Sequence, residues 1–265
     1  MMSSSWKKGS LASVCTLAVA ITLLLSCSQD SPPQPPSSSE EASATPPADV
    51  PWTEIDLNGK ALYSQHNEEL ITRVFFEDRK DGVFLDVGCF TPVIYSNTYY
   101  LEKHLGWSGI AVDALPEYAE RWKRRRPRSK FFNFMVTDHE DTVEPFYRSE
   151  LPGISSVEKP TKGPGGDELA FEEIQVPTIT LTRLLEENGI EKIDFLSMDI
   201  EGAELLALAG FNIERFRPEL ACIEAKPRNR EAILKYFADH GYQWIEEYFQ
   251  YDEHNYYFRP NVARR

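Results

Sequence analysis

Acidic residues and glycines stand directly after several short apolar runs of this 265-residue sequence. Carboxylates at such positions accept hydrogen bonds from hydroxyl and ammonium groups, take up a proton or hold a cation. A glycine there lets the backbone approach a ligand closely. The candidate positions are Asp86, Gly88, Asp113, Asp138, Asp199, Glu201 and Glu224.

Asp113 ends the second apolar run, and an acid at the end of a second strand binds a ribose diol well because it accepts two O–H bonds at a fixed separation. A single acid at a strand end is more often a solvated carboxylate or a helix cap. The joint pattern, at spacings of about 25 residues, indicates a nucleoside-binding sheet. The sequence contains no GxGxxG fingerprint, no Walker lysine loop and no GxSxG elbow.

Short apolar runs alternate with amphipathic segments from about residue 57 onward. The run Val83–Val87, bounded by glycines, is typical of a strand that is buried on both faces. Repeated strand–helix–strand units require a parallel sheet with helices on both faces, and such sheets bind ligands beyond the carboxyl ends of their strands. The last two strands, 242–246 and 256–259, are too close for a crossover helix and are predicted to be antiparallel.

The remaining elements follow from the same periodicities. Helices are predicted over 96–104, 116–126, 180–188 with Thr180 as its cap, 203–208 and 230–240. Further strands are predicted over 109–112, 131–136, 193–198 and 220–225, with a short extended piece over 143–148 and a loop over 158–168.

The composition is that of a globular protein, with 42% hydrophobic and 26% charged residues. A collagen-like, coiled-coil or wholly disordered chain is excluded. The formal net charge of −14 argues against a nucleic-acid partner, because phosphate contacts need clustered lysine and arginine. The basic run 121–130 is interpreted as a solvated helix end, with contact to anionic lipid headgroups as the alternative. Cys89 and Cys222 lie in apolar runs and are predicted to be buried free thiols.

The first residues have the pattern of a targeting signal. Lys7 and Lys8 precede an apolar run over 11–25, which as a helix of about 15 residues spans only ~22 Å and indicates a signal peptide over 1–27. Its Leu-Leu-Ser-Cys end resembles a bacterial lipobox, which would make Cys27 the lipidated first residue of the mature chain; an uncleaved anchor and a plain secretory peptide are the alternatives. Residues 28–51, rich in Ser and Pro, are predicted to be a disordered tether, and 52–265 the folded domain.

Two longer segments carry a more specific resemblance. FLDVGCFTPVIYSNTYYLEKHLGWSGIAVDALPEYAERWKRRRP and VPTITLTRLLEENGIEKIDFLSMDIEGAELLALAGF resemble the two signatures of the FkbM-type S-adenosylmethionine-dependent methyltransferase domain, and the resemblance covers about 60–260. It implies the α/β class I methyltransferase fold, a doubly wound, mostly parallel seven-stranded sheet with an antiparallel last strand. It also implies methyl transfer to hydroxyls of sugars, glycolipids or polyketide-like molecules.

The resemblance assigns a role to most of the candidate residues. Asp86 and Gly88 match the loop facing the methionine moiety of the cofactor, and Asp113 matches the ribose-binding acid. Asp138 matches the residue beside the adenine, while Asp199 and Glu201 match the second signature, next to the transferred methyl. The first loop departs from the common pattern at 90 and 92, where Phe and Pro replace glycines and narrow the expected cofactor pocket.

Asp199 is the first choice for the base that takes the acceptor's proton, and Glu201 is the second. Either acid can instead hold the methionine ammonium or a divalent ion. No His/Cys cluster has zinc spacing, and no metal is predicted. Glu204, in the following helix, is either a partner of the helix dipole or a catalyst.

The N-terminal signal and the resemblance conflict, because S-adenosylmethionine is made in the cytosol. A lipoprotein would lie in the cell envelope, anchored to a membrane on the extracytoplasmic side. We therefore expect a methyltransferase acting on a small-molecule or glycan acceptor, with a non-catalytic envelope binding module of the same fold as the alternative.

Overall fold

The computed structural model describes residues 62–151, 153–159 and 170–261. The predicted signal peptide, the lipidated Cys27 and the tether lie outside the described residues, as does most of the predicted loop over 158–168. Within the described ranges, no helix is long and apolar enough to cross a membrane.

Seven strands form the main sheet. They are β1 (Val83–Val87), β2 (Ser108–Asp113), β3 (Ser129–Asn133), β7 (Phe195–Met198), β8 (Leu220–Glu224), β9 (Tyr242–Trp244) and β10 (Asn255–Pro260). Their order is β3-β2-β1-β7-β8-β10-β9. The first five run parallel, and β10 pairs antiparallel with both β8 and β9. The predicted doubly wound sheet with an antiparallel last strand is confirmed.

Helices cover both faces of this sheet. They are α1 (Glu68–Phe76), α2 (Tyr99–Leu105), α3 (Ala119–Arg125), α4 (Leu181–Glu187), α5 (Glu204–Ala209), α6 (Ile213–Phe216) and α7 (Arg230–Asp239). Alternate strand residues enter two different apolar clusters: Leu85 and Val87 pack in one, and Phe84 packs in the other. This explains why β1 is apolar at nearly every position. Thr180 caps α4 as predicted, its hydroxyl accepting a hydrogen bond from the Arg183 N–H.

A second sheet was only partly predicted. It contains β4 (Met135–Val136), β5 (Val143–Ser149) and β6 (Phe171–Ile179), in the order β4-β6-β5. The prediction of one strand over 131–136 was wrong, because the chain leaves the main sheet after Asn133 and continues as β4 beside β6. Strand β6 was not predicted, because its charged residues and Pro177 interrupt the alternation of apolar and polar residues that indicates a strand. It pairs mainly with one neighbour, β5.

The helix predicted over 96–104 begins three residues later, at Tyr99. The side chains of Ser96 and Thr98 are engaged in hydrogen bonds with a buried arginine, described below. Helices α1 and α6 were not predicted. The loops after β1, β2, β7 and β8 leave the sheet at the same edge because these strands run parallel, and most of the predicted site residues lie in these loops or in the last residues of the strands before them.

Candidate functional site

The loop after β7, which carries Asp199 and Glu201, has an uncommon backbone conformation. Glu201 has a φ of 59° and Gly202 a φ of 103°, so both residues lie in the left-handed region. A non-glycine residue rarely adopts this conformation unless its surroundings hold it there. Here the buried Glu204 carboxylate accepts the N–H groups of Ile200 at 3.2 Å and Gly202 at 3.0 Å. Glu204 is therefore a structural residue of this loop.

Gly88 brings the loop after β1 against the loop after β7. Its φ is 75°, and an added Cβ would lie 1.8 Å from the Asp199 carbonyl oxygen. Only glycine fits, because the neighbouring group is backbone and cannot move aside easily. Gly88 thus lets the backbone of the loop after β1 approach the backbone at Asp199, and this contact holds the two loops together.

Three carboxylates converge at the carboxyl ends of β7 and β8. Asp199, Glu201 and Glu224 each offer an oxygen, and these oxygens lie within 4.8 Å of one another. We call these three residues the carboxylate cluster. The ammonium of Lys226 contacts Glu201 Oε2 and lies 3.7 Å from Glu224 Oε1. The oxygens suit a divalent cation in number and spacing, but an ammonium group already lies beside two of the three acids.

Crowding raises the proton affinity of this cluster. Although water reaches Asp199, the protein around it desolvates the carboxylate, and with the nearby charges of Glu201 and Glu204 this raises its pKa to about 7. Burial and the charges of Asp199 and Glu201 raise the pKa of Glu224 to about 9. The cluster as a whole therefore binds protons more tightly near neutral pH than isolated carboxylates do.

Asp113 lies at the end of β2, as predicted for the ribose-binding acid. Its carboxylate accepts the N–H groups of Phe90 and Leu115, both at 2.9 Å. Burial raises its pKa to about 6 against the lowering effect of these hydrogen bonds. Because each carboxylate oxygen has a second lone pair, both remain able to accept a hydroxyl. Phe90 itself has a φ of 44° and packs edge-to-face on Tyr118.

Asp86 belongs to a buried network that the sequence did not reveal. It accepts the Thr98 hydroxyl at 2.5 Å, and Thr98 in turn accepts from Arg126 at 2.9 Å. Arg126 is 1% exposed and pairs with Glu102 at 2.7 Å. It also donates to the Pro92 carbonyl, which fixes the loop after β1. The interpretation of the run 121–130 as a solvated face is therefore wrong for Arg126.

Asp138 forms its side-chain hydrogen bond with a different group of residues from those of Asp86 and Asp113. It is exposed, follows β4 of the second sheet, and forms its hydrogen bond with His139 Nδ1 at 2.7 Å. The His139 ring also contacts Glu144 at 2.5 Å, and the two acids raise the pKa of His139. No hydrogen bond within the described ranges links Asp138 to Asp113 or to the carboxylate cluster.

A second polar group beside the carboxylate cluster was not predicted. Asn255 pairs with Glu224 in the sheet, and its amide donates to Glu68 at 3.1 Å and to Asp252 at 2.9 Å. Glu68 is buried at the start of α1, and this burial with the charge of Asp252 raises its pKa to about 8. Its sequence neighbourhood gave no signal, because Glu68 precedes the first recognisable strand and reaches Asn255 across 187 positions.

Cys89 and Cys222 are buried and free, which confirms the prediction made from their apolar surroundings. Burial raises the pKa of both thiols well above the usual value. Neither is therefore a reactive thiolate at neutral pH.

We expect the free energy of unfolding to fall as pH rises from about 6.5 to 9. The pKa values of Asp199, Glu68 and Glu224 are raised to about 7, 8 and 9, so in this range the folded chain binds more protons than the unfolded chain, whose acids titrate near pH 4. Urea midpoints at pH 6.5, 7.5 and 8.5 measure the trend. Glu224→Gln should flatten it, and midpoints that rise with pH in the wild type would contradict these raised pKa values.

Comparison with known proteins gives one family. The Methyltransferase FkbM domain profile matches residues 86–244, which include the end of β1 and all of β2, β7 and β8. No curated protein is significantly similar to the chain in sequence.

Several solved structures are similar in part. A TehB-like SAM-dependent methyltransferase from Corynebacterium glutamicum is 14% identical over 74% of this chain and 88% of its own, with a TM-score of 0.41. The precorrin-6y C5,15-methyltransferase of Geobacter metallireducens is 11% identical over 79% and 93%, with a TM-score of 0.43. An S-adenosylhomocysteine complex of a SAM-dependent methyltransferase from Thiobacillus denitrificans is 10% identical over 74% and 75%, with a TM-score of 0.35. Similarity at this level carries no functional argument.

Proposed function

The chain belongs to the FkbM methyltransferase domain family, and from this premise we propose that it uses S-adenosylmethionine to methylate a hydroxyl of a sugar, a glycolipid or a similar small acceptor. The family supplies the reaction class and the cofactor. The hydroxyl acceptor is the one that the resemblance to this family implies, and a base in the carboxylate cluster is the group that such an acceptor needs.

The residues at the carboxyl edge fit S-adenosylmethionine. Asp113 stands at the end of β2 with free lone pairs for a ribose diol. The cofactor's sulfonium and ammonium groups are cations. The ends of β7 and β8 present three acidic side chains, Asp199, Glu201 and Glu224, and one basic side chain beside them, Lys226, which favours binding of a cation. In addition, Glu224 Oε2 is buried without a hydrogen-bond partner among the described residues, as expected of an atom next to a missing group.

Asp199 is proposed to take the proton of the acceptor hydroxyl. When bound, S-adenosylmethionine supplies an electrophilic methyl group on a sulfonium. Holding an acceptor oxygen in line with such a group contributes roughly 7–11 kcal/mol through positioning alone. A base that removes the hydroxyl proton adds about 10²–10⁴-fold. Glu201 stands beside Asp199 and supports it, its carboxylate held by Lys226.

The single observation that carries this proposal is the convergence of Asp199, Glu201 and Glu224 at the carboxyl ends of β7 and β8, with carboxylate oxygens within 4.8 Å of one another. Removing the proton of an alcohol needs a positioned base, and Asp199 directly follows β7 at the edge of the sheet where such folds bind their ligands.

Release of S-adenosylhomocysteine tests the function directly. Purified protein, incubated with S-adenosylmethionine and sugar or glycolipid acceptors, is expected to release S-adenosylhomocysteine in proportion to a methyl ether on the acceptor. The matched control is the same acceptor lacking the target hydroxyl. Release that is equal with and without that hydroxyl would contradict O-methylation.

We further propose that the protein is lipid-anchored in the cell envelope through Cys27, on the strength of the charged, apolar and Ser-Cys sequence before a Pro/Ser-rich segment. Such a location separates the domain from cytosolic S-adenosylmethionine. The alternative function, a binding module that keeps the fold without catalysis, draws its support from that separation.

Cys27→Ala is expected to abolish metabolic labelling of the protein by palmitate, because the thiol is the acylation site of a lipobox. The control is Cys15→Ala, which removes a cysteine from within the apolar run and should leave the labelling intact. Equal labelling of wild type and Cys27→Ala would contradict the anchor.

A further inference from the structure

Lys226 lies where the three acids of the carboxylate cluster converge. Its ammonium contacts Glu201 and approaches Glu224 at 3.7 Å, and its side chain is 30% exposed. The carboxylate oxygens of the cluster lie within 4.8 Å of one another, close enough to share one cation.

Two further contacts hold the Lys226 segment against the loop after β7. The Asn229 amide donates to the Gly202 carbonyl at 3.0 Å. The Arg228 guanidinium packs on Gly202, where an added Cβ would lie 2.3 Å from its Nη2. The approach of Lys226 to Glu201 is thus part of a contact between two loops, and it does not depend on one exposed side chain alone.

Convergent carboxylates repel one another, and either a bound proton or a nearby positive charge relieves the repulsion. Where a positive charge does so, it belongs either to a divalent metal, which takes oxygen ligands at about 2.0–2.6 Å, or to a basic side chain. The two compete for the same place, because an ammonium beside the oxygens repels a metal and engages their lone pairs.

We propose that Lys226 is the resident cation of the carboxylate cluster, holding Glu201 and Glu224 beside the acceptor site in the place that a divalent metal would otherwise take. Lys226 is then a positioning residue, and methyl transfer by this chain requires no metal. The last statement rests on the proposed function, whereas the competition between lysine and metal does not.

Titration with Mn²⁺ tests the proposal without any need for activity. Calorimetry and the electron paramagnetic resonance of bound Mn²⁺ would compare the full-length wild type with Lys226→Ala, Lys226→Arg and the double variant Lys226→Ala/Glu224→Gln. Lys226→Ala removes the ammonium, Lys226→Arg keeps a cation, and the double variant removes one ligand of the site that the alanine opens. Thermal melting of each variant shows that it is folded.

We expect Lys226→Ala to bind Mn²⁺ at least about 10-fold more tightly than the wild type, a change of about 1.4 kcal/mol. Lys226→Arg should remain as weak as the wild type, and the double variant should lose the gain. Wild-type turnover should survive EDTA. Tight Mn²⁺ binding by the wild type, turnover that EDTA abolishes, or a folded Lys226→Ala without added affinity would each overturn the proposal. If the wild type shows no turnover at all, the proposed function fails while the titration still decides the place of Lys226.

Discussion

Replacing Asp199 by Asn should lower turnover about 10²–10⁴-fold while the affinity for S-adenosylmethionine changes little. Asparagine keeps the shape of the side chain but cannot accept the acceptor's proton. The same change removes one charge from a group of acids whose mutual repulsion raises their pKa values. The folded state should therefore be at least as stable as the wild type, and lost activity cannot be attributed to unfolding.

Steady-state kinetics and a cofactor titration of the same preparation separate the possible outcomes. Asp239→Asn is the matched control, because Asp239 is exposed at the end of α7 and its ion pair among the described residues is with Lys235. It should leave turnover unchanged. A collapse of cofactor affinity in Asp199→Asn would instead make Asp199 a ligand of the methionine ammonium. Unchanged turnover and affinity would make this strand end structural.

Replacing Asp113 by Ala should weaken S-adenosylmethionine binding by about 10–150-fold. Two hydrogen bonds from the ribose to a charged acceptor account for roughly 1.5–3 kcal/mol of this loss. The carboxylate also holds the N–H groups of Phe90 and Leu115, so the variant loosens the loop after β1 as well. Calorimetry measures the affinity, with Glu117→Ala as a control at an exposed acid close by.

A cofactor analogue separates the ribose contact from the loop. If Asp113 binds the diol, an analogue lacking one ribose hydroxyl should bind the wild type more weakly than S-adenosylmethionine does. The substitution Asp113→Ala should then reduce the affinity for this analogue much less than it reduces the affinity for S-adenosylmethionine. An equal loss for both compounds would mean that Asp113 acts only by holding the loop.

The architecture was largely predictable because local patterns determine it. Val83–Val87 is apolar throughout and bounded by glycines, and Thr180 offers a cap before a helical period; both features were confirmed. The parallel direction of the strands follows from the alternation of strands and helices. The break between β3 and β4 was missed because Phe134 continues the apolar run although the chain changes sheets there.

The site was less predictable because its decisive contacts are long-range. Arg126 sits in a run of basic residues, and nothing in that run distinguishes the buried arginine from the exposed ones. Lys226 follows β8 but pairs with Glu201 of the loop after β7, which is 25 positions away. Gly88 was predicted to make room for a ligand, and the structure shows that it makes room for the Asp199 carbonyl. The proposed roles of Asp86, Asp138 and Asp199 toward the cofactor stay predictions.

Calorimetric titration of the purified wild-type protein with S-adenosylmethionine tests the central claim most directly, because the family, the acids at the strand ends and the proposed reaction all require this cofactor at the carboxyl edge of the sheet. We predict saturable binding with one cofactor per chain, weakened by Asp113→Ala and retained by Asp199→Asn. Absence of binding at millimolar S-adenosylmethionine would contradict the account and favour a binding module that keeps the methyltransferase fold.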